Sequence, residues 1–282
     1  MHLISKKNFA KTFSPKDSHY AKLRRNYRDR KKMHSSNKKD QHTSQKDTLF
    51  LYGIHTVSAA INNPKREIFQ LLATENALAR LDWDKSLSHS FPIKTVLPKT
   101  IDQFVGKEAA HQGVALETAY LPSPTLDTIQ NNQLIIILDH VKDPHNVGAI
   151  LRSSVAFGCS AVITTKLHSP PESAVLAKSA SGAFEHIPYI RIGNITDALQ
   201  KIHSWGFQTI GLSSNSPQPL EQEIKNEKIA LILGSEGKGL RQKTQETVNS
   251  MAHLHMPGTI KSLNVSNAAA VSLYITQKYL SQ

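Results

Sequence analysis

Short runs dominated by apolar residues punctuate the second half of the chain, at residues 134–138, 161–165, 207–212 and 229–233. Runs of this kind, without polar alternation, predict strands covered on both faces, as in a parallel sheet. Segments 147–157, 171–178 and 195–204 lie between them and read as helices. The alternation predicts βαβ units whose functional residues gather at the carboxyl ends of the strands.

A shorter rhythm precedes this one. Residues 49–52 and 68–72 read as strands, and 55–61 and 76–83 as helices, the first stopped by Asn62, Asn63 and Pro64. It continues to residues 113–117. Residues 121–126 then bring two prolines and no periodicity. The expected organisation is α/β throughout: a small α/β domain at 48–120, a linker at 121–132 and a second α/β domain at 133–282.

Composition sets bounds on this picture. The chain has 282 residues and is 39% hydrophobic, enough for a core in each domain. No purely apolar run is longer than that of residues 134–138, which is far short of a membrane span. The first twenty residues are basic and polar, without the apolar stretch of a secretion signal. A single cysteine, Cys159, excludes an intramolecular disulfide and a cysteine-based zinc site. No metal-ligand spacing occurs, and a reducing, cytoplasmic location is the expectation.

The formal charge of +12 is concentrated at one end. Residues 1–47 hold 14 Lys and Arg against 4 Asp, and residues 48–282 hold 20 against 18 Asp and Glu. The first segment is also poor in aliphatic residues, so it reads as a basic disordered tail. Its Lys and Arg clusters, interleaved with Tyr20 and Tyr27, suit a phosphate backbone and stacked bases. A solubilising or targeting extension is the competing explanation.

Three polar islands follow buried strands. The first is DHVKDPHN (139–146), continued by GAILR (148–152). Asn146 is a candidate N-cap for the next helix. Arg152 stands on a helix otherwise rich in apolar residues, which is costly unless the guanidinium is paired, enters a site or reaches water along its stem. The second is GSEGKG (234–239), three glycines around Glu236. It fails as a P-loop, because Gly239 stands where Ser or Thr would hold magnesium. Glu236 is a natural partner for Arg152. The third is SLNVSN (262–267), ahead of an alanine-rich helix. One or two of its polar residues suffice as a cap, Ser266 being the better candidate, which leaves Ser262 and Asn264 to be explained. Each island alone is an ordinary turn or cap. Together they gather Arg, Glu, Ser and two Asn around glycine-rich backbone, a set suited to positioning rather than to covalent chemistry.

The motifs NVGAILR (146–152), LGSEGKGL (233–240) and SLNVSNAA (262–269) resemble, in order, those of the SpoU/TrmH-type RNA 2′-O-ribose methyltransferases of the SPOUT superfamily. YGIHTVSAA (52–60) is similar to the start of the small RNA-binding domain in the branch that methylates a large-subunit rRNA guanosine. The resemblance implies a parallel-sheet domain ending in a trefoil knot, and an obligate homodimer whose sites are completed across the interface. It implies S-adenosylmethionine bound around Gly234, Leu254, Met256 and Leu263, and catalytic roles for Asn146, Arg152, Glu236, Ser262 and Asn264. His255 and Asn267 depart from the family pattern, at the rim of the implied cofactor pocket.

The implied reaction is methyl transfer to a ribose 2′-hydroxyl of RNA, with rRNA as the leading substrate and tRNA as an alternative. Arg152 would stabilise the developing alkoxide or a phosphate, oriented by Asn146 and Glu236. A non-catalytic RNA-binding protein is the other alternative.

Overall fold

A computed structural model describes residues 48–282, which form one compact unit. The basic tail lies outside the described residues.

The first sheet has four strands. β1 (Thr48–Tyr52) leads through Gly53 into α1 (Ile54–Ile61); β2 (Ile68–Ala73) leads into α2 (Glu75–Arg80). After β3 (Ile93–Thr95) and α3 (Pro98–Val105), β4 (Val114–Ala119) returns to the centre, giving the order β1-β4-β2-β3. β4 runs antiparallel to both β1 and β2, and β3 pairs parallel to β2. Alternation divides the strands' side chains between two faces. Leu51, Leu71 and Leu116 pack with Val57, Ile61 and Ala77 of α1 and α2. Leu72 and Ala115 pack with Ile101 of α3, whose Phe104 ring lies 4.8 Å from that of Phe50. The helix expected at 76–83 ends at Arg80, because Leu81 is extended (φ −67°, ψ 126°).

The second sheet has six parallel strands. In chain order they are β5 (Leu134–Asp139), α4 (Pro144–Ala156), β6 (Ala161–Thr165), α5 (Ala174–Ala180), β7 (Tyr189–Ile192), α6 (Ile195–Ser204) and β8 (Gln208–Leu212). There follow the single turn α7 (Leu220–Glu223), β9 (Ile229–Gly234), α8 (Gln242–Thr247), β10 (Ser250–Ala252) and α9 (Val265–Leu280). The sheet order is β10-β8-β9-β5-β6-β7. Even-numbered residues of β5, Leu134, Ile136 and Leu138, face α4, α5 and α9; Ile135 and Ile137 face α6 through Ile195, Leu199 and Ile202. Burial on both faces is why these runs carry no polar alternation. At their carboxyl ends Asp139 of β5 sits beside Gly234 of β9.

The two sheets are joined by a buried ion cluster. Arg66, with its side chain fully buried, pairs with Glu172 and Glu185 on either side of α5. Asn63 Nδ2 donates to Glu185 Oε2 at 2.7 Å, and the Leu121 amide donates to Glu172 Oε2 at 2.9 Å. The segment 121–132 is therefore held down at its start, and further along it by Ile129, which is fully buried in the α6-side core.

Candidate active site

The loop after β5 turns sharply into α4. His140 adopts φ 63°, an uncommon left-handed conformation for a non-glycine residue. Asp143 caps α4, its side chain accepting from the His145 amide at 3.0 Å, and Pro144 takes the first helical position, where no donor is needed. Asn146 is therefore not the cap. It lies inside the first turn, which frees its amide to point outward. Gly148 is required by packing: a Cβ there would lie 2.4 Å from Ser179 Cβ, where α5 crosses α4.

The loop after β9 folds back on itself. The Gly239 amide donates to Ser235 O at 2.9 Å, and Gly237 and Gly239 hold φ 79° and 64°. A Cβ on Gly234 would lie 2.1 Å from the carbonyl carbon of Gly239, so the close approach of backbone to backbone demands glycine. The loop is anchored by Asp139, a fully buried carboxylate that accepts from Arg241 Nε at 2.8 Å and from Thr244 Oγ1 at 2.8 Å. Sequence reasoning missed Asp139. The signal was present, since a carboxylate closing an otherwise apolar buried strand must find donors.

α9 begins at Val265 with Asn264 as its cap. Asn264 Oδ1 accepts from the Ser266 amide at 2.8 Å and from Ser266 Oγ at 2.6 Å. The assignment of the cap to Ser266 is thus corrected: the backbone turns helical one residue after Asn264, so Ser266 lies too far in.

These three loops bring their polar residues together. Asn264 Nδ2 donates to Glu236 Oε1 at 2.7 Å and to Asn146 Oδ1 at 3.0 Å, and Asn146 Nδ2 donates to Glu236 Oε1 at 2.9 Å. The result is a closed triangle drawn from residues 90 and 28 positions apart along the chain. Asn146 and Glu236 line an open cavity of about 390 Å³, with Lys142 and Lys238 supplying positive charge and Val265 an apolar wall. Glu236 Oε2 makes no hydrogen bond among the described residues.

Arg152 does not join this triangle. Six positions along the helix place it about 120° round and about 9 Å along from Asn146. It is exposed and opens instead into a second cavity, with α1 on its far side. Among the described residues no hydrogen bond or ion pair joins Arg152 to Asn146 or Glu236 of the same chain. Ser262 is exposed and makes no hydrogen bond among the described residues.

Gly234 ends β9, and Leu254 is buried two residues beyond β10. Met256 and Leu263 lie in the segment linking β10 to α9. From Leu254 to Leu263 no main-chain group joins a backbone–backbone hydrogen bond among the described residues, while Ile260 and Leu263 are 74% and 43% exposed. Amides and carbonyls without backbone partners, of which Met256 O accepts from Lys261 Nζ at 2.9 Å, lie beside exposed apolar side chains; they suit a nucleoside with an aliphatic arm, so the residues present fit S-adenosylmethionine. Among the described residues no group of His, Cys, Asp and Glu could hold a metal.

Comparisons with known proteins bear on the family and the fold. The SpoU rRNA Methylase family matches residues 133–274, and the family described as RNA 2′-O ribose methyltransferase substrate binding matches residues 50–124. A 23S rRNA (guanosine-2′-O-)-methyltransferase RlmB from Ralstonia nicotianae is 34% identical over 79% of this chain and 93% of its own length. The RlmB of Pasteurella multocida is 35% identical over 79% of this chain and 95% of its own. Among solved structures, the SpoU methyltransferase AviRb from Streptomyces viridochromogenes, in complex with AdoMet, superposes with a TM-score of 0.69 at 20% identity, over 82% of this chain and 90% of that one. Profile match, relatives and fold converge: the chain belongs to the SpoU rRNA methylase family.

Proposed function

We propose that this protein transfers a methyl group from S-adenosylmethionine to the ribose 2′-hydroxyl of a guanosine in 23S rRNA. The observation that carries the reading is the Asn146–Glu236–Asn264 triangle, in which one residue from each of three separated motifs meets at the carboxyl edge of a parallel sheet. Relatives at 34% and 35% identity bear the name of this activity. In this reading residues 48–120 bind the RNA, 121–132 connect, and 133–282 carry the chemistry. The substrate makes the cytoplasm the place of work, and no described helix is long and apolar enough to cross a membrane.

S-adenosylmethionine, held along Gly234, Leu254, Met256 and Leu263, supplies an already activated methyl group. The protein's own task is to place the hydroxyl and manage its proton. The two amides hold Glu236 through Oε1, leaving Oε2 as an acceptor for the 2′-hydroxyl. Lys142 and Lys238 attract the neighbouring phosphates. Arg152 stays protonated and stabilises the developing alkoxide. Because it faces away from the triangle of its own chain, it serves the triangle of a second copy. Val271 and Tyr274 of α9 are 41% and 55% exposed, and the Tyr274 ring lies 6.0 Å from that of Phe157 beside α4. This apolar face of α9, beside the end of α4, is the proposed homodimer surface. Ser262, on the loop before α9, is assigned to contact with the reacting ribose.

The test is incubation of the purified protein with labelled S-adenosylmethionine and an unmodified 23S rRNA transcript, then mass spectrometry of nuclease digests. One methyl group on the ribose of a guanosine is expected. Methylation of a base, or of tRNA alone, overturns the assignment.

A further inference from the structure

The cavity into which Arg152 opens is a groove of about 430 Å³ between the two sheets' helices. His55 of α1, Arg80 at the end of α2 and Asp82 just beyond form one wall; Arg152 of α4 and His186 stand on the other. Its floor is the turn after α5, where Ser181 and Gly182 take φ 51° and 91°. A Cβ on Gly182 would lie 2.9 Å from Ala59 Cβ, so α1 is pressed directly against this turn.

The charges of the groove are unbalanced. Arg80 and Arg152 have no ion pair or side-chain hydrogen bond among the described residues, and Asp82 is the one carboxylate in the lining. His55 and His186 are exposed there too. Elsewhere the molecule pairs guanidiniums with buried carboxylates, the buried Arg66 with two glutamates and the exposed Arg241 with Asp139. Two open guanidinium forks facing one channel suit an extended anion, because each matches a phosphate through paired donors. The walls are also fixed in place, by the Arg66 cluster and by Lys178 Nζ donating to Gln112 Oε1 at 2.7 Å.

We propose that this groove holds the phosphodiester backbone of the RNA strand carrying the target nucleotide. Arg80 and His55 act as positioning residues that set the path of the strand toward Arg152 of the same chain. The inference rests on the methyltransferase reading and deepens it: the substrate-binding unit and Arg152 of one chain work as a pair on one RNA.

Arg80→Ala, Arg80→Glu, Arg80→Lys and His55→Ala in the full chain, assayed on the unmodified 23S rRNA transcript, test this. Arg80→Glu should raise KM for RNA about tenfold or more, leave kcat and the KM for S-adenosylmethionine unchanged, and lower the slope of log affinity against log salt by about one. Arg80→Lys should restore most of the affinity, and Arg80→Ala should lie between, with an unchanged Tm. Mixed dimers decide the pairing. Arg80→Glu chains mixed with Arg152→Ala chains should keep the raised KM, since every site then has one damaged member of the pair. Recovery of the wild-type KM in that mixture, or an unchanged KM in Arg80→Glu, overturns the inference while the methyltransferase reading stands. Wild-type protein that does not methylate RNA overturns that reading, and the inference falls with it.

Discussion

Asn264 serves Glu236 and its own helix at once: Nδ2 donates to Glu236 Oε1 at 2.7 Å while Oδ1 accepts from the Ser266 amide at 2.8 Å. The two roles use different atoms of one amide and can be separated by substitution. Asn264→Ala should lose both, with a Tm deficit reflecting about 0.5–2 kcal/mol for the lost cap. Asn264→Asp keeps an oxygen for the Ser266 amide but loses the donors, so it should stay folded and lose turnover. Ser266→Ala removes only a hydroxyl that donates to Asn264 Oδ1, and should retain most activity. Thermal melts and single-turnover methylation on all three decide it; full turnover in Asn264→Asp would show the Nδ2 bonds to be inert.

Arg152→Ala should leave the protein folded and the proposed dimer intact, and lower kcat about 10²–10³-fold, the usual scale for removing one donor to a developing oxyanion. Mixing inactive Arg152→Ala chains with inactive Glu236→Gln chains should restore about a quarter of wild-type activity, since half the dimers are mixed and each has one intact site. No recovery would place Arg152 and the triangle of one chain in the same site.

Asp139 and Asn264 mark the limits of what could be read from the chain alone. β5 and α6 were legible because their patterns are strong: a run buried on both faces, and Ile195, Leu199 and Ile202 at helical spacing behind the cap Asn194. β3 and β7 were not, since strands of three or four residues carry no period and exist because a neighbour offers hydrogen bonds. Two caps were misplaced for one reason. Asp143 and Asn146, and likewise Asn264 and Ser266, are pairs of good capping residues close in sequence, and only the backbone decides which one stands at the boundary. The separation of Arg152 from Glu236 was legible in principle from helical geometry, but attraction between opposite charges argued the other way. Arg66 offered no local signal; both its partners lie more than 100 residues away.

Arg66→Ala should cost about 3–5 kcal/mol, because it strands two buried carboxylates. Burial already raises Glu172 above the ordinary carboxylate range with Arg66 in place. A carboxyl with a raised folded pKa contributes stability below its unfolded pKa and loses it as pH rises through the folded value. The deficit of the variant should therefore be greatest near about pH 8 and shrink toward about pH 5. Urea unfolding at both pH values checks this; a deficit independent of pH would mean the carboxylates are hydrated or otherwise neutralised.

Removal of residues 1–47, which hold most of the formal charge of +12, should weaken RNA binding and flatten its salt dependence while sparing affinity for S-adenosylmethionine. Filter binding across a salt series reads both effects. An unchanged slope would assign the tail to something other than RNA.

The ion cluster of Arg66, Glu172 and Glu185 turns the molecule into a caliper with a locked gauge. A hinged enzyme could grip RNAs of many shapes and close on each. Resetting the jaw would break buried charges apart, which leaves the conforming to the RNA that the groove is proposed to hold. A strand whose backbone spacing matches the gauge binds with little ordering left to do, and one that does not must distort or fail. Selectivity of this kind lies in the shape of the fold around the nucleotide as much as in the identity of the base.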